Sequence, residues 1–143
     1  MSDSPRFATP EEVENAFYEA WERGDLEALM AVWADDEDVV CIHPGSPRLT
    51  GHAQIRETWQ QILSQAPNFS VRLLQRIRWQ GGLLAIHSLH EQFLIPGGDA
   101  EVEPVLATNV YVRGGDGWRL LSHHASNAPE LPDSLGEVPR VLH

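Results

Sequence analysis

The sequence predicts an α+β domain, a cone-shaped, strongly curved and mostly antiparallel sheet covered by three N-terminal helices. Two observations carry that expectation. Ahead of Pro67, apolar residues recur mainly at helical spacing. From Phe69 onward, four long β segments are divided by short Gly-rich turns, the pattern of hairpin-linked strands. Helices first and hairpins after them give segregated layers. A chain of 143 residues fits one such domain.

Residues 1–8 read as a loose leader, 9–127 as the domain and 128–143 as a Pro-spaced, extended tail. Thr9-Pro10-Glu11-Glu12 opens the first helix, with Thr9 as cap, Pro10 at the first helical position and Glu12 closing a capping box. Val13, Phe17, Ala20 and Trp21 form its apolar stripe, and Gly24 ends it. Asp25 caps a second helix from Leu26 to about Trp33. The acidic run Asp35–Asp38 reads as a solvated turn. Val39–His43 reads as a short buried strand stopped by Pro44-Gly45. Thr50 or Gly51 starts the third helix, with Ile55, Trp59, Ile62 and Leu63 on its stripe. The β segments are Phe69–Gln80, Leu83–Ile95, Glu101–Arg113 and Trp118 to about Ser126, with Pro104 at a strand start, edge or bulge. A strongly bent sheet under helices encloses an apolar pocket at the wide end of the cone. Its other face needs cover, which a second copy of the chain provides.

Composition narrows the partners. The net charge of −11, from 10 Lys+Arg against 21 Asp+Glu, supplies no basic stripe for nucleic acid. The same sign disfavours anionic membrane surfaces, and no apolar run approaches a membrane span. Cys41 is the one cysteine, so no intrachain disulfide forms. The start MSDSPRFATPEE has no basic and apolar leader pattern, which makes a cytoplasmic location the expectation.

The order of elements, with GDLEALMAVWADD at the second helix, GHAQIRETW at the third and GWRLLSHHAS after TNVYVRGGDG, resembles the nuclear transport factor 2-like superfamily. Within it the chain is similar to the SnoaL-like and ketosteroid-isomerase-like branch, from about Thr9 to Ser126. This fold hosts isomerases, dehydratases, cyclases, assembly domains and binders, so the likeness speaks for fold more than for activity. A steroid isomerase of this fold needs a carboxylate base, a helix tyrosine and a late protonated aspartate. Their places fall on Cys41, Phe17 and near Thr108, and none matches. Tyr18 is the neighbour of Phe17, but one helical step turns a side chain by about 100°. The resemblance therefore implies the fold without the steroid-isomerase chemistry.

Strand alternation puts Cys41 and His43 on one face. In the last strand it groups Trp118, Leu120, Ser122, His124 and Ser126, with His123 opposite. The resemblance makes the first of these faces the pocket side. His90 shares a face with Ser88 and Gln92, and His87 shares the other with Glu91; which one meets the pocket is left open. The candidate catalytic pair is His43 and His124, since an imidazole gives or takes a proton near neutrality. Phe17, Trp33, Cys41, Trp59 and His90 are expected to line the pocket. Thr108, Asn109, Ser122 and Ser126 join them, with Asn109 or Thr108 able to steady an oxyanion. The same residues could equally be cone-lining groups that bond backbone or one another.

No CxxC or HxxxH spacing supports a metal at His43, His90, His124 and Cys41, so neither metal nor cofactor is expected. Cys41 reads as a small buried hydrophobe. Two functions follow. One is a cofactor-free lyase or isomerase acting on a small apolar or amphipathic ligand, in a homodimer built through the sheet face. The other is a non-catalytic binding or assembly domain of the same fold.

Overall fold

The computed structural model describes residues 5–65, 69–95 and 104–128. Its elements run α1 (Pro10–Arg23), α2 (Leu26–Ala31), β1 (Val40–Ile42), β2 (Leu49–Thr50), α3 (His52–Gln65), β3 (Ser70–Gln80), β4 (Leu84–Leu94), β5 (Val105–Gly114) and β6 (Gly117–Asn127). The six strands form one open sheet in the order β2-β1-β6-β5-β4-β3. β3 through β6 are an antiparallel meander, β1 pairs β6 in parallel, and β2 folds back on β1. The α+β expectation holds.

Local chemistry sets the helix ends. Thr9 Oγ1 accepts from the Glu12 N–H at 3.1 Å, and Glu12 Oε1 reaches back to the Ala8 N–H at 2.8 Å. Gly24 closes α1 at φ 71°, a left-handed turn that glycine adopts without a Cβ clash. Asp25 caps α2 by accepting from the Ala28 N–H. α2 stops at Ala31, sooner than the expected Trp33, because the chain there joins the sheet. Leu120 donates its N–H to Val32 and accepts at its carbonyl from Ala34, so Trp33 bridges β6. The leader is not loose where it is described. Phe7 is buried, bridges Gly117, and runs so close that any side chain at Gly117 would strike the Phe7 carbonyl. The expected strand start at Glu101 and the tail beyond Ala128 lie outside the described residues.

Two bulges position the interior. In β3, Gln75 and Arg76 together stand opposite Leu89 of β4, and Gln75 takes φ 54°. In β6, Leu121 is the extra residue between Ser122, paired with Val110, and Leu120, paired with Tyr111. A bulge bends its strand and reverses the faces beyond it. The core sits between α1, α3 and the concave face, around Phe17, Leu29, Ile55, Trp59, Leu89 and Leu120.

Candidate functional site

A row of polar side chains crosses the concave face. Register places His87 of β4, Asn109 of β5, His123 of β6 and Cys41 of β1 side by side. Glu91 lies further along β4 on the same face, as does Tyr111 along β5. From α1 come Glu14 and Tyr18. His87, Glu91, Asn109, His123, Glu14 and Tyr18 are all buried.

Hydrogen bonds fix the direction of each group. Tyr18 Oη donates to Glu91 Oε2 at 2.5 Å and accepts from Asn109 Nδ2 at 3.1 Å. Asn109 therefore turns Oδ1 toward His123 Nδ1, 2.6 Å away, and that nitrogen must donate. The second nitrogen, His123 Nε2, is buried without a partner and lies 4.0 Å from Glu91 Oε2. A second knot surrounds Glu14. Its Oε2 accepts from Tyr111 Oη at 2.7 Å and from His87 Nδ1 at 2.9 Å, and its Oε1 accepts from Arg76 Nη1 at 2.9 Å.

The two carboxyl groups differ in environment. Burial drives Glu91 up to about 7; the Tyr18 hydrogen bond only partly opposes this, and the nearby Glu14 charge adds to it. Burial would raise Glu14 as well, but hydrogen bonds from His87 and Tyr111, the His87 interaction and Arg76 bring it below the ordinary carboxylate value. Burial pulls His123 down to about 3, so its ring is neutral. His43 is lowered by burial too. Cys41 is pushed up to about 12, chiefly by burial, so it stays a thiol although His43 Nε2 is 3.6 Å away.

Several expected site residues meet here. Phe17, Cys41, Trp59 and Asn109 are all buried on the inner side. His43 is partly buried, with its ring 4.9 Å from Trp59 and 6.3 Å from His123 between centroids. His124 does not join them. It is exposed and points to the opposite face, and His123 is the inward ring. The Leu121 bulge is the reason: Trp118 and Leu120 face in, and beyond the extra residue His123 and Ala125 do, which sends Ser122, His124 and Ser126 outward. Thr108 is exposed and His90 lies on the same outer face, so His87 and Glu91 are the inward pair of β4.

The residues that sequence reasoning missed are Glu14, Tyr18 and Tyr111, and it left Glu91 undecided. α1 lies in the hollow of the sheet, so its buried arc takes Val13, Glu14, Phe17, Tyr18 and Ala20 together. An acidic residue inside an apolar helical stripe was the available signal.

Trp33 alone of the expected lining residues faces a cleft of about 680 Å³, which lies elsewhere, between the end of α2 and the β5–β6 turn. Asp35, Asp36, Asp116, His52 and Arg119 edge it. Among the described residues, no group of three or more His, Cys, Asp or Glu side chains is placed to hold a metal ion, and no helix is long and apolar enough to cross a membrane.

Residues 11–130 match the family model of the SnoaL-like domain. A solved structure from Thiobacillus denitrificans, provisionally named a calcium/calmodulin-dependent protein kinase type II association domain, is 39% identical, with TM-score 0.78 over 87% of this chain and 98% of that one. A structure from Streptomyces avermitilis, provisionally named a dehydratase of the NTF2-like family, is 36% identical, with TM-score 0.74 over 82% of this chain and 92% of that one. The F-box protein SKIP8 of Arabidopsis thaliana is 23% identical over 108 residues, which are 71% of this chain and 42% of that protein's length.

Proposed function

Since the chain belongs to the SnoaL-like domain family, we propose that it acts on a small molecule without a cofactor, by proton transfer between Glu91 and the neutral imidazoles beside it. One observation carries the reading. A buried carboxyl that titrates near neutrality stands 4.0 Å from an unpartnered ring nitrogen whose tautomer is fixed by Asn109. Paired groups with separated proton affinities divide into an acid and a base. The 36% identity to the Streptomyces protein named as a dehydratase adds support.

The reaction class that fits is elimination of water from a β-hydroxy carbonyl compound. The C–H bond beside the carbonyl and the C–O bond of the hydroxyl break, and a C=C bond forms. His123 Nε2 takes the carbon-bound proton, Glu91 gives its proton to the departing hydroxyl, and water leaves. Return of the proton from His123 to Glu91 resets the pair. His43 is the partly exposed member of the group and marks the side of approach.

A panel of β-hydroxy ketones, followed by the absorbance of the conjugated product, tests this. Glu91→Gln and His123→Asn are each expected to lower turnover by about 10²–10⁴-fold. Undiminished turnover in Glu91→Gln would end the reading.

A second reading, compatible with the first, is self-association. Ile77, Trp79, Leu84 and Leu106 are exposed on the outer face of the sheet, and the 39% identical structure bears the name of an association domain. The chain is expected to be a homodimer through this face, with Trp79→Glu monomeric by light scattering at micromolar concentration. A monomeric native chain contradicts it.

A further inference from the structure

Glu14 and Glu91 enter one buried interior from opposite sides, one from α1 and one from β4. Two buried carboxylates in such a space repel strongly, so the donors around them decide which is charged. Glu14 has three: a guanidinium, a ring N–H and a phenol. Glu91 has one phenol, and its next neighbour, His123 Nε2, lies at 4.0 Å with no proton to offer. The charge therefore belongs to Glu14.

The fold makes an effort to supply Arg76. It reaches Glu14 from a bulge that sets Gln75 and Arg76 opposite the single Leu89, with Gln75 in left-handed backbone. A non-glycine residue held in that region has a cost, and such sites gather where geometry is needed. Asn109 bonds the Tyr18 phenol that donates to Glu91, and the Tyr111 phenol donates to Glu14.

We propose that Glu14, kept as a carboxylate by Arg76, His87 and Tyr111, is a positioning residue for Glu91, and that its fixed charge adds to burial in keeping Glu91 neutral. This rests on the reading of Glu91 as the acid of the site. The other groups around Glu91 are Tyr18 of α1, which bonds it, Asn109 of β5 behind Tyr18, His123 of β6 at 4.0 Å and Cys41 of β1, with His43 beyond His123 and Tyr111 on Glu14. Glu14 stands outside this set and acts on Glu91 by its charge, in addition to the larger effect of burial.

The experiment is a carboxyl ¹³C titration of the full chain labelled at glutamate, with resonances assigned by Glu91→Gln and Glu14→Asp. Native Glu14 is expected to remain a carboxylate from about pH 5 to about pH 8 while Glu91 titrates. In Glu14→Gln the Glu91 midpoint is expected to fall by about half a pH unit, a roughly threefold loss of proton affinity; in Glu14→Asp it stays. A native Glu14 that carries a proton at about pH 6, or a Glu91 midpoint unmoved in Glu14→Gln, overturns the proposal. The native measurement decides even if Glu14→Gln does not fold. A native Glu91 already ionised at about pH 5 instead sinks the acid role itself.

Discussion

Raising the pH from about 4.5 to about 7 is expected to lower the stability of the native chain by roughly 3 kcal/mol relative to Glu91→Gln. The unfolded chain releases the Glu91 proton near 4.5, whereas the folded chain holds it to about 7. Between those values the folded state binds the extra proton. Its stabilising contribution is complete below 4.5 and is lost as the pH climbs through 7. His123 works in the other sense, with an ordinary value of 6.5 pulled down to about 3, so its contribution is lost as the medium becomes acid. That loss is present in both proteins and drops out of the difference to the extent that the two neighbouring groups titrate independently. Urea denaturation at a series of pH values gives the two curves. Parallel curves across this window would mean that Glu91 titrates like an exposed carboxyl.

Glu14→Ala is expected to destabilise the fold by about 3–5 kcal/mol, because it leaves a guanidinium, an imidazole N–H and a phenol around an empty place. Part of that cost is the lost partner of Arg76, reduced because that side chain is 32% exposed. The double variant Glu14→Ala, Arg76→Met is therefore expected to regain part of it. Denaturant midpoints at constant slope report both values. A cost below about 1 kcal/mol for the single variant would show that the Glu14 knot does not hold α1 to the sheet.

The helices were legible because their ends are written in local chemistry. Thr9, Pro10, Gly24 and Asp25 act through neighbours at most four residues away. The hairpins were legible for the same reason, from their Gly-rich turns. The site was half legible. Phe17 and Trp59 could be placed inside by periodicity, Cys41 by the family likeness and Asn109 only as an alternative to Thr108, and these four are inside. His124 could not be placed correctly, because alternation counts one residue per step and Leu121 breaks the count. Nothing in LLSHH marks the extra residue, which follows the pairing of Leu120 with α2's exit at Val32 and Ala34. Arg76 was hidden likewise by the bulge at Gln75. Tyr18 was set aside as one helical step from Phe17, yet a helix lying in a curved sheet buries an arc wide enough for both.

The proposed chemistry rests on a neutral, titratable Glu91 beside a bare imidazole nitrogen in the interior of this SnoaL-like domain. Infrared difference spectroscopy of the native chain against Glu91→Gln reads it directly. A protonated-carboxyl C=O band that is present in mild acid, is lost with a midpoint near pH 7 and is missing from the variant is the predicted result. A native chain without that band above about pH 5 would contradict the account.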